Sequence, residues 1–404
     1  MPEKALEGVK VADFTWVGVG PVTTKYLADH GATVVRVEST TRTDILRRLP
    51  PYKGEEPGVD RSGFFANFNT NKWGLTLNMS TPKGIQVAER LIAWADIVAE
   101  NFSPGAMGKW GLDYESVKKI KPDVIYYSAS SQGQGGPHGR MRGFGDTLVS
   151  LTGFTHITGW PDGAPTPPHG AYTDFIAPRF GAVSILAALD YRRRTGKGQH
   201  LDLSQLETAL QFIGPLILDC SVNGRIFDRV GNSDPYAAPH GAYPCQGEDR
   251  WCVIAVYTDE EWNALCKVMG NPPWSRDDKF STLSMRKENQ EELDKLIGEW
   301  TKDYTPEQVM QTLQKEGVAA GVVQRPSDLF SDPQLAHRRH FVVLNHREIG
   351  PHAYDGIPFH LSETPGELAR AAPCIGQDKE YVLKEILGMS DEEVAELVVT
   401  GALE

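Results

Sequence analysis

Short, continuous apolar runs recur along the first half of the chain. Residues 9–14, 33–37, 96–99 and 123–128 have the length of strands buried on both faces. Helical spacing fills the gaps between them, from Pro21 to about residue 30, from Thr81 to residue 95, and around residues 114–120. Pro21 suits a first helical turn, where its missing N–H is not needed, and Thr81-Pro82 reads as a cap followed by the first helical residue. Strands alternating with helices predict a parallel sheet covered on both faces.

A long helix is expected over 178–194, then the turn Thr195-Gly-Lys-Gly198 and a strand over 200–204. The texture changes between about 225 and 335. There a strand at 250–256 precedes helices at 259–269, 286–301 and 306–315, and a last strand lies at 318–323. Thr305-Pro-Glu-Gln308 and Ser390-Asp-Glu-Glu393 have the form of capping boxes. The expected organisation is a large α/β domain over 1–224, a smaller α+β domain over 225–335, and a tail over 336–404 that returns to the large domain.

Composition narrows the class. A net charge of −12 over 404 residues argues against a nucleic-acid partner but leaves room for a local anion site. Cys220, Cys245, Cys252, Cys266 and Cys374 show no paired metal or disulfide spacing. No apolar run is long enough to span a bilayer, and the first residues lack a signal-peptide pattern, so no membrane and a cytoplasmic location are expected.

Gly18-Val-Gly20-Pro-Val-Thr23 stands where a dinucleotide fingerprint would, with Glu38 ending the next strand at the spacing of a ribose-binding acid. Thr23 replaces the third glycine. Three readings follow: a nicotinamide-dependent oxidoreductase, a tight turn without nucleotide, or a helix N-terminus that meets the phosphates of another cofactor.

The blocks LEGVKVADFTWVGVGP, LADHGATVVRVE, NTNKWGLTLNMSTPKG, ADIVAENFSPGAMGKWGLDYESVKKIKPDVIYYSASSQGQGGP and GAYTDFIAPRFGAVSILAALDYRRRTGKGQHLDLSQLE stand in order along the chain. With GVAAGVV and SDPQL further on, the sequence resembles class III CoA-transferases, the family of formyl-CoA transferase and carnitine CoA-transferase. The resemblance implies a Rossmann-like large domain built from both chain ends, an inserted smaller domain, and two interlocked subunits, as a homodimer or a heteromer with a related chain. It implies coenzyme A and acyl-CoA as substrates, no tightly bound cofactor, and no metal.

The family's nucleophilic aspartate falls on Asp174, which read alone is a helix N-cap. Its carboxylate would attack an acyl-CoA thioester to form a mixed anhydride, then carry CoA as an aspartyl thioester. Backbone amides near Gly18 or in a glycine-bearing loop are candidates for the oxyanion donors. The resemblance places backbone CoA contacts at Val17 and Val19 and further contacts, near the adenine and pantetheine portions, at Leu77 and Asn101, with Lys109 and Arg142 as phosphate contacts. Ser39 replaces a basic residue of the family, and Arg36, Lys72 and Arg140 are candidates to compensate. Gly231–Gly241 stands where relatives carry a glycine-rich lid but lacks a run of glycines.

Related racemases use a histidine where this chain has Phe144, and a phenyl ring cannot shuttle a proton. His138 and His169 are nearby alternatives, and intramolecular CoA transfer or a catalytically silent CoA-binding subunit remain as rival readings. Trp16 and Gly18 depart from the formyl-CoA transferase pattern. Trp16, Phe64, Phe65 and Trp160 would line an apolar acid pocket or belong to the core. The chain resembles family members that act on aromatic or dicarboxylic acids, benzylsuccinate CoA-transferase among them, which implies such an acid pair, for example transfer from succinyl-CoA to benzylsuccinate.

Overall fold

The computed structural model describes residues 3–141 and 143–403. It divides into two units. One comprises the chain up to Phe154, Pro167–Ile226 and everything from Gln334; the other comprises Thr155–Thr166 and Phe227–Pro333.

The first unit holds six parallel strands: β1 (Lys10–Asp13), β2 (Thr33–Glu38), β3 (Lys72–Thr76), β4 (Ile97–Glu100), β5 (Ile125–Ser130) and β6 (Gln199–Ser204). Their spatial order is β3-β2-β1-β4-β5-β6, the doubly wound Rossmann order. Around them lie α1 (Val19–Asp29), α2 (Pro82–Trp94), α3 (Tyr114–Ile120), α4 (Gly145–Leu151) and α5 (Tyr172–Thr195).

Alternation along the strands builds two cores. Val11, Val34, Ile97 and Ile125 face one cluster, with Leu27 of α1 and Ile185 of α5. Their chain neighbours Ala12, Val35, Val98 and Tyr126 face the other, with Leu91 of α2 and with Val382 and Leu397 from the C-terminal segment. The C-terminal segment therefore covers one face of the sheet that the N-terminal part of the chain builds. The close approach that a third fingerprint glycine would give is supplied from α5 instead. A Cβ on Gly181 would lie 2.4 Å from the Tyr127 hydroxyl and 2.9 Å from Thr23 Oγ1.

In the second unit, β7 (His240–Pro244), β8 (Trp251–Ala255) and β9 (Ala319–Val322) form an antiparallel sheet with β8 central. Cys252 and Ile254 of β8 meet Trp262, Leu293, Ile297 and Leu313 in one core. The helix expected over 286–301 is two, Leu283–Glu288 and Gln290–Thr301. Asn289 interrupts it, turning its side-chain amide onto the carbonyls of Met285 and Lys279. Among the described residues no helix is long and apolar enough to cross a membrane.

The helix expected from residue 178 begins at Tyr172. Pro178 mimics a helix start but lies within α5, where its lack of an N–H leaves the Asp174 carbonyl without its helical donor. Asp174 is thus not a cap: Ala171 holds that position, and Asp174 is the third residue of the helix.

Candidate active site

In this strand order the chain diverges between β1 and β4, and the crevice at their carboxyl ends is where such sheets bind ligands. The turn leaving β1 is held there at successive backbone atoms. The Thr15 N–H donates to Asp13 Oδ1 at 2.9 Å, and the Thr15 carbonyl accepts from Arg36 at 2.8 Å. Asn101, just past β4, clasps Trp16 on both sides, accepting from its N–H and donating to its carbonyl, each at 2.7 Å. The Val17 N–H donates to Asp44 at 3.0 Å, and Val17 takes a positive φ of 64°. Gly18 then caps α1.

This turn ends against Asp174. A Cβ on Gly18 would lie 2.8 Å from Asp174 Oδ2, and one on Gly145, the first residue of α4, would lie 3.1 Å from Asp174 Cγ. Only glycine leaves room at both places. The first turns of α1, α4 and α5 therefore converge on one carboxylate, and each first turn carries N–H groups without helical acceptors. Burial, and second the Asp146 carboxylate, raise the Asp174 pKa to about 7.

The buried layer beneath the turn is charged. Arg47 reaches Glu38 through two nitrogens at 2.6 and 2.9 Å, and Arg36 pairs with Asp44 at 2.5 Å. Both guanidiniums stack on Phe65. Burial pushes Glu38 up, but the charges of Arg47 and then Arg36 bring it down to about 2. Glu38 is spent on these arginines and is not free for a ribose, so the nicotinamide reading loses its acid.

Several expected contacts need correcting. Arg36 and Lys72 are both fully buried and cannot reach a phosphate in solvent. Lys72 donates to Asp13 at 3.0 Å and to Thr24, Asn69 and the Pro21 carbonyl. Burial lowers it to about 8. Their positions on β2 and β3, inside a two-sided sheet, explain this. The Leu77 side chain is likewise buried in a core; that of Val19 is too, and the contact implied there is one of its backbone. Phe65 is core, Phe64 packs on Phe68, and Trp160 belongs to the second unit. Arg142 lies outside the described residues.

Others do gather at the crevice. Trp16 meets Phe102 edge-on at 5.5 Å and Phe102 meets Trp110 at 5.8 Å, an aromatic row; Lys109, next to Trp110 in the chain, is exposed. Trp16 and Val17 also line an open pocket of about 430 Å³ with Arg42, Thr43, Arg48 and Phe144. The two arginines and Gly145 had no local signal, because the fold alone brings them beside the β1 turn. Among the described residues no cluster of His, Cys, Asp or Glu could hold a metal.

The structure is a doubly wound α/β sheet with one buried carboxylate, that of Asp174, packed between two glycines near its switch point. The family model for CoA-transferase family III matches residues 6–379, and the chain belongs to that family and is a CoA-transferase. It is 32% identical over 398 residues to the succinyl-CoA–D-citramalate CoA-transferase of Chloroflexus aurantiacus, covering 98% of this chain and 97% of that protein. It is 29% identical over 402 residues to the human succinyl-CoA:glutarate CoA-transferase, covering 99% of this chain and 90% of that one. The structure of a CaiB/BaiF family protein from Brucella suis superposes with a TM-score of 0.87 at 29% identity, covering 95% of this chain and all of the other.

Proposed function

We propose that the enzyme moves CoA between two dicarboxylic acids, with succinyl-CoA as donor, by covalent catalysis on Asp174. The position of the Asp174 carboxylate between Gly18 and Gly145 carries this reading. An Asp174 oxygen attacks the thioester carbonyl and expels CoA thiolate, leaving a mixed anhydride. The thiolate attacks Asp174 Cγ and releases the first acid, leaving an aspartyl-CoA thioester. The incoming carboxylate attacks Cγ and expels the thiolate, which then takes the new acyl group and frees Asp174. No net proton is consumed.

N–H groups of the first turn of α1 are suited to the developing oxyanions. The row Trp16–Phe102–Trp110 and Lys109 are suited to the CoA chain and a phosphate. Phe144 in place of a base disfavours racemisation. Five unpaired thiols fit a reducing, cytoplasmic setting, and a second subunit, identical or related, is part of the reading. The relatives' names supply the acid class, which includes benzylsuccinate as one dicarboxylate to try.

The test is a panel. Succinyl-CoA is offered with glutarate, citramalate, malate, benzylsuccinate and monocarboxylates, and the CoA esters formed are read by mass spectrometry. Hydroxylamine added during turnover should leave a hydroxamate on Asp174. Undiminished exchange in Asp174→Ala would sink the mechanism.

A further inference from the structure

The open pocket beside the β1 turn has a charge out of character with the protein. The chain carries a net charge of −12, yet Arg42 and Arg48 both line this cavity. Among the described residues, neither guanidinium pairs with a carboxylate. Arg48 spends only its Nε, on Thr43 Oγ1 at 2.9 Å. Both are exposed, and an anion entering the cavity would meet two cations on its wall.

The pocket is tied to the reacting carboxylate through its own walls. Val17 and Phe144 line it, and the next residues along the chain, Gly18 and Gly145, are those that touch Asp174. An acid held with one carboxylate at Asp174 would direct its remainder past Val17 and Phe144 toward the arginines. The basic wall is also held rigidly. Asp44, buried between Arg42 and Arg48 in sequence, accepts from Val17 N–H, Leu46 N–H and Arg36 at once. One buried carboxylate thus fixes the basic loop against the catalytic turn. The volume of about 430 Å³ is that of a small-molecule site.

We propose that Arg42 and Arg48 are specificity residues that bind the far carboxylate of a dicarboxylic acid, or of its CoA ester, while the near one reacts at Asp174. The assignment rests on the dicarboxylate reading above. Arginine suits the task because its planar fork matches a carboxylate bidentately. Trp16 and Phe144 would flank the methylenes between the two ends.

The experiment compares Arg48→Gln, Arg42→Gln, Arg48→Lys and the double Gln variant with the parent enzyme. Glutarate and pentanoate serve as paired acceptors, succinyl-CoA and butanoyl-CoA as paired donors. The measured quantity is the ratio of kcat/KM within each pair. The ratio should fall about 10- to 100-fold in each Gln variant, with Arg48→Lys between. Both substitutions are at exposed positions, and circular dichroism checks the fold.

An equal loss for both members of each pair, with KM raised for butanoyl-CoA as well as succinyl-CoA, would make these arginines CoA phosphate contacts and overturn the proposal. An unchanged ratio would overturn it too. A parent enzyme that does not prefer glutarate over pentanoate defeats the dicarboxylate reading itself, and that is seen before any variant is made.

Discussion

Gly18 and Asp174 stand so close that one added methyl group would collide with the carboxylate, a Cβ at Gly18 falling 2.8 Å from Oδ2. The nearest atoms belong to the Asp174 side chain, so the collision displaces the proposed nucleophile itself. Gly18→Ala should fold normally and lose about 100-fold or more in CoA exchange. Labelled-CoA exchange beside a thermal melt separates the two effects. Wild-type exchange in a folded Gly18→Ala protein would show that the turn does not position the carboxylate.

Gly145 should be less forgiving. A Cβ there would lie 2.3 Å from the Cβ of Ala171 as well as 3.1 Å from Asp174 Cγ. Gly145→Ala therefore strains the start of α5 along with the site and should lower both activity and melting temperature. The paired variant Gly145→Ala/Ala171→Gly should recover part of the melting temperature.

The raised Asp174 pKa has a kinetic signature. Attack needs the ionised carboxylate, and burial, with Asp146 second, holds its pKa at about 7. In the free enzyme kcat/KM should rise about tenfold per pH unit below that value and level off above it. Asp146→Asn removes the second cause and should move the inflection to lower pH. A flat profile from pH 5 to 9 contradicts this.

The same shift has a stability signature of opposite sense. A carboxyl whose folded pKa lies near 7 against an ordinary 3.8 favours the folded state in its protonated form, so that benefit is present below pH 4 and is lost as pH rises through 7. Asn at this position never ionises. Relative to the parent, Asp174→Asn should gain stability between pH 4 and 7 and plateau above it, by roughly 1–3 kcal/mol. Urea midpoints at pH 5 and 8 measure the difference.

Lys72 separates a structural from a binding role. Lys72→Met strands Asp13 inside the sheet without its cation and should cost roughly 3–5 kcal/mol. The loss appears in the urea midpoint. A variant of full stability with a raised acyl-CoA KM would restore Lys72 as a phosphate contact.

What could be read in the sequence and what could not divide along a physical line. Local signals translated directly: Thr81 caps α2 with Pro82 first, and the boxes at Thr305 and Ser390 both close. Apolar runs marked four strands of the sheet, and it was the aligned blocks, not any local signal, that singled out Asp174. β3 went unseen because it opens with Lys72, whose charge reads as surface until Asp13 is placed behind it. Arg36 misled for the same reason. Gly145 comes against Asp174, and Arg42 and Arg48 come into one pocket with Trp16, Val17 and Phe144, through the fold alone, and no spacing along the chain encodes those neighbours. Asn289 broke a helix that periodicity alone would have carried through.

The buried ring of Arg36, Asp44, Arg47 and Glu38 bears on how such an enzyme can change over evolutionary time. It anchors the loop carrying Arg42 and Arg48 from below, through side chains buried beneath the pocket. The exposed residues of that loop are free to mutate without loosening their anchor or moving the nucleophile. A lineage could exchange one acid for another by altering a few solvent-facing positions, while the machinery that handles the thioester is inherited intact.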